Sequence, residues 1–257
     1  MAAQYDNLFR LDGRKAVVIG AGSGIGREAA LALAAHGANV VCADSNGEAA
    51  ADTARNAAGS TSVVIDVNDE GSVLELADAH SDAEVLLHTP AINVRKQIAD
   101  YSLDEFDKVI RLNLRSTFHI MQLFGRSMCN RQRGSIITIS SIRAATVEPG
   151  QGVYAATKSG LESLVRTAAA EFGPSNVRVN AIRPGVVETP LTAQLKKNPE
   201  WYSAYAEKPA LKRWAQASEM VGAVVFLAGD AATYVTGTTI TVDAGWTAVD
   251  GRYTPPL

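Results

Sequence analysis

The sequence predicts an α/β protein: one domain containing a doubly wound, parallel, seven-stranded sheet with helices on both faces. Three observations carry that prediction. Seven short β-branched runs recur along the 257 residues, longer helical stretches separate them, and the runs are apolar on both faces. Buried parallel strands read that way, whereas half-solvated antiparallel strands alternate. Strand–helix alternation implies right-handed crossovers and a ligand crevice at the carboxyl ends of the strands.

In chain order, the strands are expected at 16–19, 40–43, 62–65, 85–87, 135–139, 177–182 and 238–242. Helices are expected at 24–36, 47–58, 70–79, 103–130, 152–172 and 217–228. No linker or internal repeat interrupts the pattern, so residues 1–257 read as one dinucleotide-binding catalytic domain. The least regular stretch is 188–214, where Pro190, Pro199 and Pro209 punctuate a polar, aromatic segment after a strand end. An insertion at the ligand edge is expected to act as a substrate lid.

A hydrophobic content of 47% with 20% charged residues fits a soluble globular enzyme, and a net charge of −3 offers no basic field for nucleic acid or acidic membranes. The first thirteen residues contain no apolar run resembling a signal peptide, and no stretch is long enough to span a bilayer. Cys42 and Cys129 have neither metal-ligand spacing nor the look of a disulfide framework. The expectation is a cytoplasmic protein with a small-molecule substrate and no metal.

The run 16–19 leads directly into Gly20-Ala21-Gly22-Ser23-Gly24-Ile25-Gly26 and then an alanine-rich helix. The spacing G-x-x-x-G-x-G fits, whereas G-x-G-x-x-G meets Ile25 or Arg27 where its last glycine belongs. Gly20 permits a tight turn, Gly24 admits a pyrophosphate to the backbone, and Gly26 lets helix pack on sheet. Ser23 and Ile25 lie within the same cradle. Asp44, 18 residues after Gly26, ends the second strand, where a carboxylate accepts hydrogen bonds from an adenosine ribose. Its neighbours Ser45 and Asn46 are neutral, so nothing there balances a 2′-phosphate, and NAD is expected over NADP. The alternative for Asp44 is a helix cap. Asp66 ends the third strand, where it is expected at the adenine edge, the alternative being a turn or capping residue.

Tyr154 and Lys158 stand four residues apart in a helical stretch and share one face. An ammonium beside a phenol favours its ionisation, which suits Tyr154 to proton exchange, while Ser141 at a strand end suits a hydrogen bond to the reacting oxygen. Asn113 falls on the apolar face that runs through Phe106, Val109, Ile110, Ile120, Met121 and Phe124. A buried amide there needs a partner, either a relay water or backbone.

These residues closely resemble the short-chain dehydrogenase/reductase family. The match covers nearly the whole chain through Gly20-x-x-x-Gly24-Ile25-Gly26, Asp66-Val67, Asn113, Ser141, Tyr154-x-x-x-Lys158, Asn180-Ala-Ile-Arg-Pro184-Gly185 and Val242-Asp243-Ala244-Gly245. The resemblance implies a Rossmann fold, a tetrad of Asn113, Ser141, Tyr154 and Lys158, and a homotetramer. It implies that Lys158 also holds the nicotinamide ribose, with Pro184, Gly185, Val187 and Thr189 at the nicotinamide end. Two departures stand out. Ile19 replaces the usual threonine before the glycines, and His88-Thr89-Pro90-Ala91 replaces Asn-Asn-Ala-Gly. His88 reads as a buried histidine satisfied by backbone, with a substrate or relay role as the alternative.

The expected reaction is hydride transfer between NAD and a secondary alcohol or its ketone. The competing readings are an NADPH-type 3-ketoacyl or carbonyl reductase and a non-catalytic nucleotide-binding regulator. For the substrate, Arg95, Lys96 and Arg143 at strand ends suggest a grip on an anionic group, while Glu148 and Gln151 suit hydroxyls. The stretch 92–96 also resembles gluconate-type dehydrogenases of the family. The expectation is a sugar, polyol or sugar acid. The alternative is that these cations are solvated or paired.

Overall fold

The computed structural model describes Tyr5 and residues 7–249; most of the first six residues and the last eight lie outside it, as does that part of the expected 1–257 domain. The chain forms β1 (Lys15–Ile19), α1 (Gly24–Ala35), β2 (Asn39–Asp44), α2 (Gly47–Asn56), β3 (Thr61–Val64), α3 (Glu70–Ala79) and β4 (Val85–His88). It continues through α4 (Leu103–Ile110), α5 (Ser116–Asn130), β5 (Gly134–Ile139), α6 (Gly152–Phe172) and β6 (Val177–Pro184). The last part holds β7 (Val187–Glu188), α7 (Ala193–Lys196), α8 (Pro199–Glu207), β8 (Ala215–Gln216), α9 (Val221–Ala228) and β9 (Thr239–Val242).

Seven strands form one parallel sheet in the order β3-β2-β1-β4-β5-β6-β9, a Rossmann-type arrangement. The order reverses between β1 and β4, and a crevice opens at such a switch point. Alternate residues of each central strand enter opposite layers. Val17, Leu86, Ile136 and Val179 pack with Ile120, Phe124 and Leu161 on one face, while Val18, Leu87 and Ile137 pack with Leu33, Val224 and Leu227 on the other.

Three expectations need correction. The runs 62–65 and 238–242 are expected to be buried on both faces, yet β3 and β9 are the sheet's edge strands, with Val64 and Thr241 exposed. The helix expected over 103–130 is interrupted by a π-helical stretch, Arg111–Arg115, centred on Asn113; an inserted residue of this kind rotates the apolar stripe, and Phe106 is exposed. The stretch 188–214 is folded: α7 and α8 are tied down by the short β7–β8 pairing and a small core of Ile142, Val186, Leu195, Tyr205, Trp214 and Trp246. Pro190 and Pro199 open helices, where a missing N–H costs nothing, and Pro209 lies just past the end of α8. Among the described residues, no helix is long and apolar enough to cross a membrane.

Candidate active site

A cleft of about 490 Å³ runs along the carboxyl ends of the strands, from Asp44 and Asp66 past the glycine turn to Tyr154, Lys158 and Tyr205. One end is built almost wholly from backbone. Gly20 has φ +85°, and a Cβ there would lie 2.2 Å from Thr89 Oγ1; at Gly26 a Cβ would lie 2.0 Å from the Gly20 carbonyl oxygen. Only glycine allows the turn and helix to meet this closely. Ser23 is the N-cap of α1 but makes no side-chain cap bond, so the donors of the first helical turn remain open to the cleft. Such an end suits a pyrophosphate. Gly20, Ser23, Gly24, Ile25, Gly26, Val67, Pro184, Gly185, Val187 and Thr189 all line the cleft, and the residues present therefore fit a dinucleotide.

Asp44 does not cap α2. That task falls to Asn46, whose side chain accepts from the Ala49 N–H at 3.1 Å. Asp44 instead accepts from the Gly22 and Asn46 N–H groups at 2.8 and 2.9 Å, which fixes the carboxylate at the cleft edge. Asp66 lines the same edge and accepts from the Asn68 backbone and amide at 2.9 and 3.1 Å.

Tyr154 and Lys158 project from α6, and Ser141 follows β5. Lys158 is buried, and its Nζ donates to the Ile139 carbonyl at 2.7 Å while lying 5.6 Å from the Tyr154 ring centroid. Burial pulls the Lys158 pKa down to about 8. Burial also pushes the Tyr154 phenol up, and the Ser141 hydroxyl and the charges of Arg143 and Arg95 pull it partly back. Lys158 Nζ, which the sequence places beside this phenol, is held 5.6 Å from the ring centroid by its bond to the Ile139 carbonyl.

Asn113 is 1% exposed. Its Oδ1 accepts from the Ile92 N–H at 2.9 Å, and its Nδ2 donates to the Ile92 carbonyl at 2.8 Å and to Thr157 Oγ1 at 3.3 Å. The amide is thus satisfied chiefly by backbone, and it pins the segment after β4 against α6. His88 is buried too, but it meets the Thr117 hydroxyl at 3.3 Å rather than the backbone contact expected from sequence.

The other end of the cleft is made of side chains. Arg95 and Arg143 both line it and share one counter-ion, Glu148, which pairs with Arg95 at 3.4 Å and with Arg143. The Tyr205 hydroxyl donates to Glu148 at 2.6 Å. Arg143 lies over Tyr205 and Trp246, at 5.9 and 5.4 Å from their ring centroids, and Arg95 lies over Trp201 at 5.4 Å. Two cations against one carboxylate leave a net positive charge. Gln151 is 2% exposed; its Oε1 accepts from Asn93 Nδ2 at 2.7 Å, while Gln151 Nε2, Asn93 Oδ1 and Arg95 Nε have no partner among the described residues.

Two of the substrate assignments change. Lys96 is outside the cleft, paired with Glu105 at 2.5 Å on the capping box of α4. Glu148 stands behind the arginines rather than on the cleft wall, so it orients them and does not face a hydroxyl. Asn93, Tyr205, Trp201 and Trp246 were missed. For Trp201 and Tyr205 the signal was the density of aromatics and prolines in 188–214, and for Asn93 its place in the 92–96 stretch; Trp246 gave none.

Residues 20–247 match the family model described as Enoyl-(Acyl carrier protein) reductase. The chain is 32% identical to gluconate 5-dehydrogenase of Gluconobacter oxydans (strain 621H), covering 95% of this chain and 98% of that protein. It is 34% identical to galactitol 2-dehydrogenase (L-tagatose-forming) of Cereibacter sphaeroides, again covering 95% and 98%. The solved structure of a gluconate 5-dehydrogenase from Burkholderia cenocepacia J2315, in complex with NADP and tartrate, superposes with a TM-score of 0.91 at 31% identity, covering 95% of this chain and 98% of that one. With that coverage added to the glycine turn and the Ser141, Tyr154 and Lys158 arrangement, the chain belongs to the short-chain dehydrogenase/reductase family of oxidoreductases acting on CH–OH groups.

Proposed function

We propose that this protein is an NAD-dependent dehydrogenase that moves a hydride between nicotinamide and a secondary carbinol carbon of a polyol or sugar acid. The observation that carries the reading is the meeting of Ser141, Tyr154 and Lys158 with a positively charged, polar wall of Arg95, Arg143, Asn93 and Gln151 in one cleft. The relatives named for gluconate and galactitol support the same substrate class.

When bound, the nicotinamide supplies or accepts the hydride. Tyr154 exchanges the proton of the substrate hydroxyl, and Ser141 donates a hydrogen bond to the oxygen whose charge develops. Lys158 would hold the cofactor ribose, and Asn113 holds the 92–95 segment so that Arg95 faces the substrate. Arg95 and Arg143 steady a carboxylate or a row of hydroxyls, and 188–214 closes the cleft as a lid through Leu195 and Tyr205.

The choice of NAD rests on Asp44, whose carboxylate at the cleft edge opposes a 2′-phosphate in the absence of a neighbouring cation at Ser45 or Asn46. A cytoplasmic homotetramer completes the reading on family resemblance. Initial rates at the nicotinamide absorbance, with both cofactors and with aldonates, alditols and simple secondary alcohols, test it. Turnover of an aldonate or alditol with NAD is expected. A long apolar alcohol as the best substrate overturns the substrate class, and equal efficiency with NADP overturns the cofactor assignment.

A further inference from the structure

We propose that His88 and Thr138 frame a buried water site beneath Lys158, in which the unprotonated Nε2 of His88 accepts a hydrogen bond from a water that in turn accepts one from the Lys158 side chain. Strand alternation brings the two residues together. On β4 and β5, Leu86 and Ile136 enter the layer beneath α5 and α6. Two residues further along each strand stand His88 and Thr138, so they enter the same layer, and they are register partners in the sheet. They are 3% and 1% exposed. Thr117 from α5 and Lys158 from α6 complete a polar patch inside an otherwise apolar layer.

Counting protons fixes the histidine tautomer. The Thr117 hydroxyl has one proton and donates it to the Asn113 carbonyl at 2.9 Å. Its oxygen therefore accepts from His88 Nδ1–H at 3.3 Å, and Nε2 is left as a bare acceptor. Among the described residues that Nε2 has no partner, and neither has Thr138 Oγ1. A buried polar group left unpaired is destabilising, and a buried space with two or more such groups is where ordered water is held. Lys158 uses one N–H on the carbonyl of Ile139, the residue directly after Thr138, so the amine sits beside this space with donors to spare.

The imidazole stays neutral there: burial and the Lys158 charge hold the His88 pKa down at about 3. The titratable groups facing this space are His88 from β4 and Lys158 and Tyr154 from α6; Thr138 from β5, Thr117 from α5 and the intervening Asn113 are neutral. His88 is thus a positioning residue. It orients the water dipole toward the ammonium and so supports the charged form of Lys158 against the dry surroundings. Only the kinetic arm of the test rests on the dehydrogenase reading.

Nitrogen-15 NMR of the histidine-labelled full chain, with His88 assigned among the four histidines by H88Q, is expected to show an N–H on Nδ1 and a bare Nε2 that does not titrate between pH 5 and 8. A high-resolution crystal structure is expected to show a water within about 3.2 Å of Nε2. A proton on Nε2, or a dry site, overturns the proposal whatever the enzyme turns over. In pH–rate profiles, H88L is expected to move the Lys158 limb near 8 to lower pH by about one unit, with H88Q, whose amide oxygen can accept, close to wild type. A uniform loss of kcat with the limb unmoved in H88L overturns the coupling to Lys158.

Discussion

The two ends of the cleft are made differently. The cofactor end is a piece of backbone: a turn at Gly20, an uncapped helix start at Ser23, and a carboxylate at Asp44 fixed by two N–H groups. The substrate end is a set of long side chains, Arg95, Arg143, Glu148 and Tyr205, drawn from segments far apart in sequence and held by ion pairs and ring faces. A backbone site tolerates little substitution and serves one ligand shape. A side-chain site can be retuned one residue at a time without disturbing the sheet. Variants should therefore divide along the same line, with loss of chemistry between the two ends and graded specificity at each.

The largest effect belongs to the junction. Tyr154→Phe removes the exchangeable proton with ring packing retained, and kcat should fall by about 10²-fold or more while the dinucleotide still binds by fluorescence titration. Near-normal turnover would remove Tyr154 from its role.

At the substrate end, Arg95→Ala should raise KM for an aldonate by about tenfold and change KM for an alditol much less, since a charge-assisted hydrogen bond contributes about 1.5–3 kcal/mol. Glu148→Gln should do the reverse, because it frees both guanidinium groups. Equal effects on charged and neutral substrates would make this wall mere packing.

Lys158→Met probes a cost that function imposes on the fold. A lysine with its folded pKa lowered to about 8 is disfavoured as a cation in the native state, so the penalty is full below pH 8 and fades as the pH rises toward the unfolded value of about 10.4. The shift corresponds to about 3 kcal/mol, offset by roughly 1 kcal/mol for the lost bond to Ile139. The inactive variant should then be more stable by about 2 kcal/mol in denaturant titrations at pH 7, with the gain shrinking above pH 8. A destabilised variant at pH 7 would contradict the account of that burial.

At the cofactor end, Asp44→Ala should narrow the ratio of kcat/KM for NAD over NADP by a few fold by removing a like-charge contact with the 2′-phosphate, the smallest effect of the set. An unchanged ratio would locate cofactor choice elsewhere.

What the sequence disclosed follows the same division. The sheet was legible because its five inner runs keep apolar residues on both faces, and the glycine turn was legible because its parts are adjacent in the chain. β3 misled because an edge strand can hold the same residue types with one flank bare. The π-helical stretch at Asn113 was invisible because a one-residue insertion leaves composition and spacing nearly untouched. Lys96 and Arg95 are neighbours in sequence, yet only the fold separates them: Lys96 turns to Glu105 on α4, whereas Arg95 turns to Glu148, 53 residues away. Charge was readable, but its partner was not.

The central claim is direct hydride transfer between a carbinol carbon and the nicotinamide within this cleft. Aldonate and alditol substrates deuterated at the reacting carbon test it most directly, with mass spectrometry of the reduced cofactor as the readout. The account predicts one deuterium per turnover in the nicotinamide ring from the wild type, with none formed by Tyr154→Phe on the same time scale. Reduced cofactor lacking the label, or labelled cofactor produced at the wild-type rate by the phenylalanine variant, would contradict it.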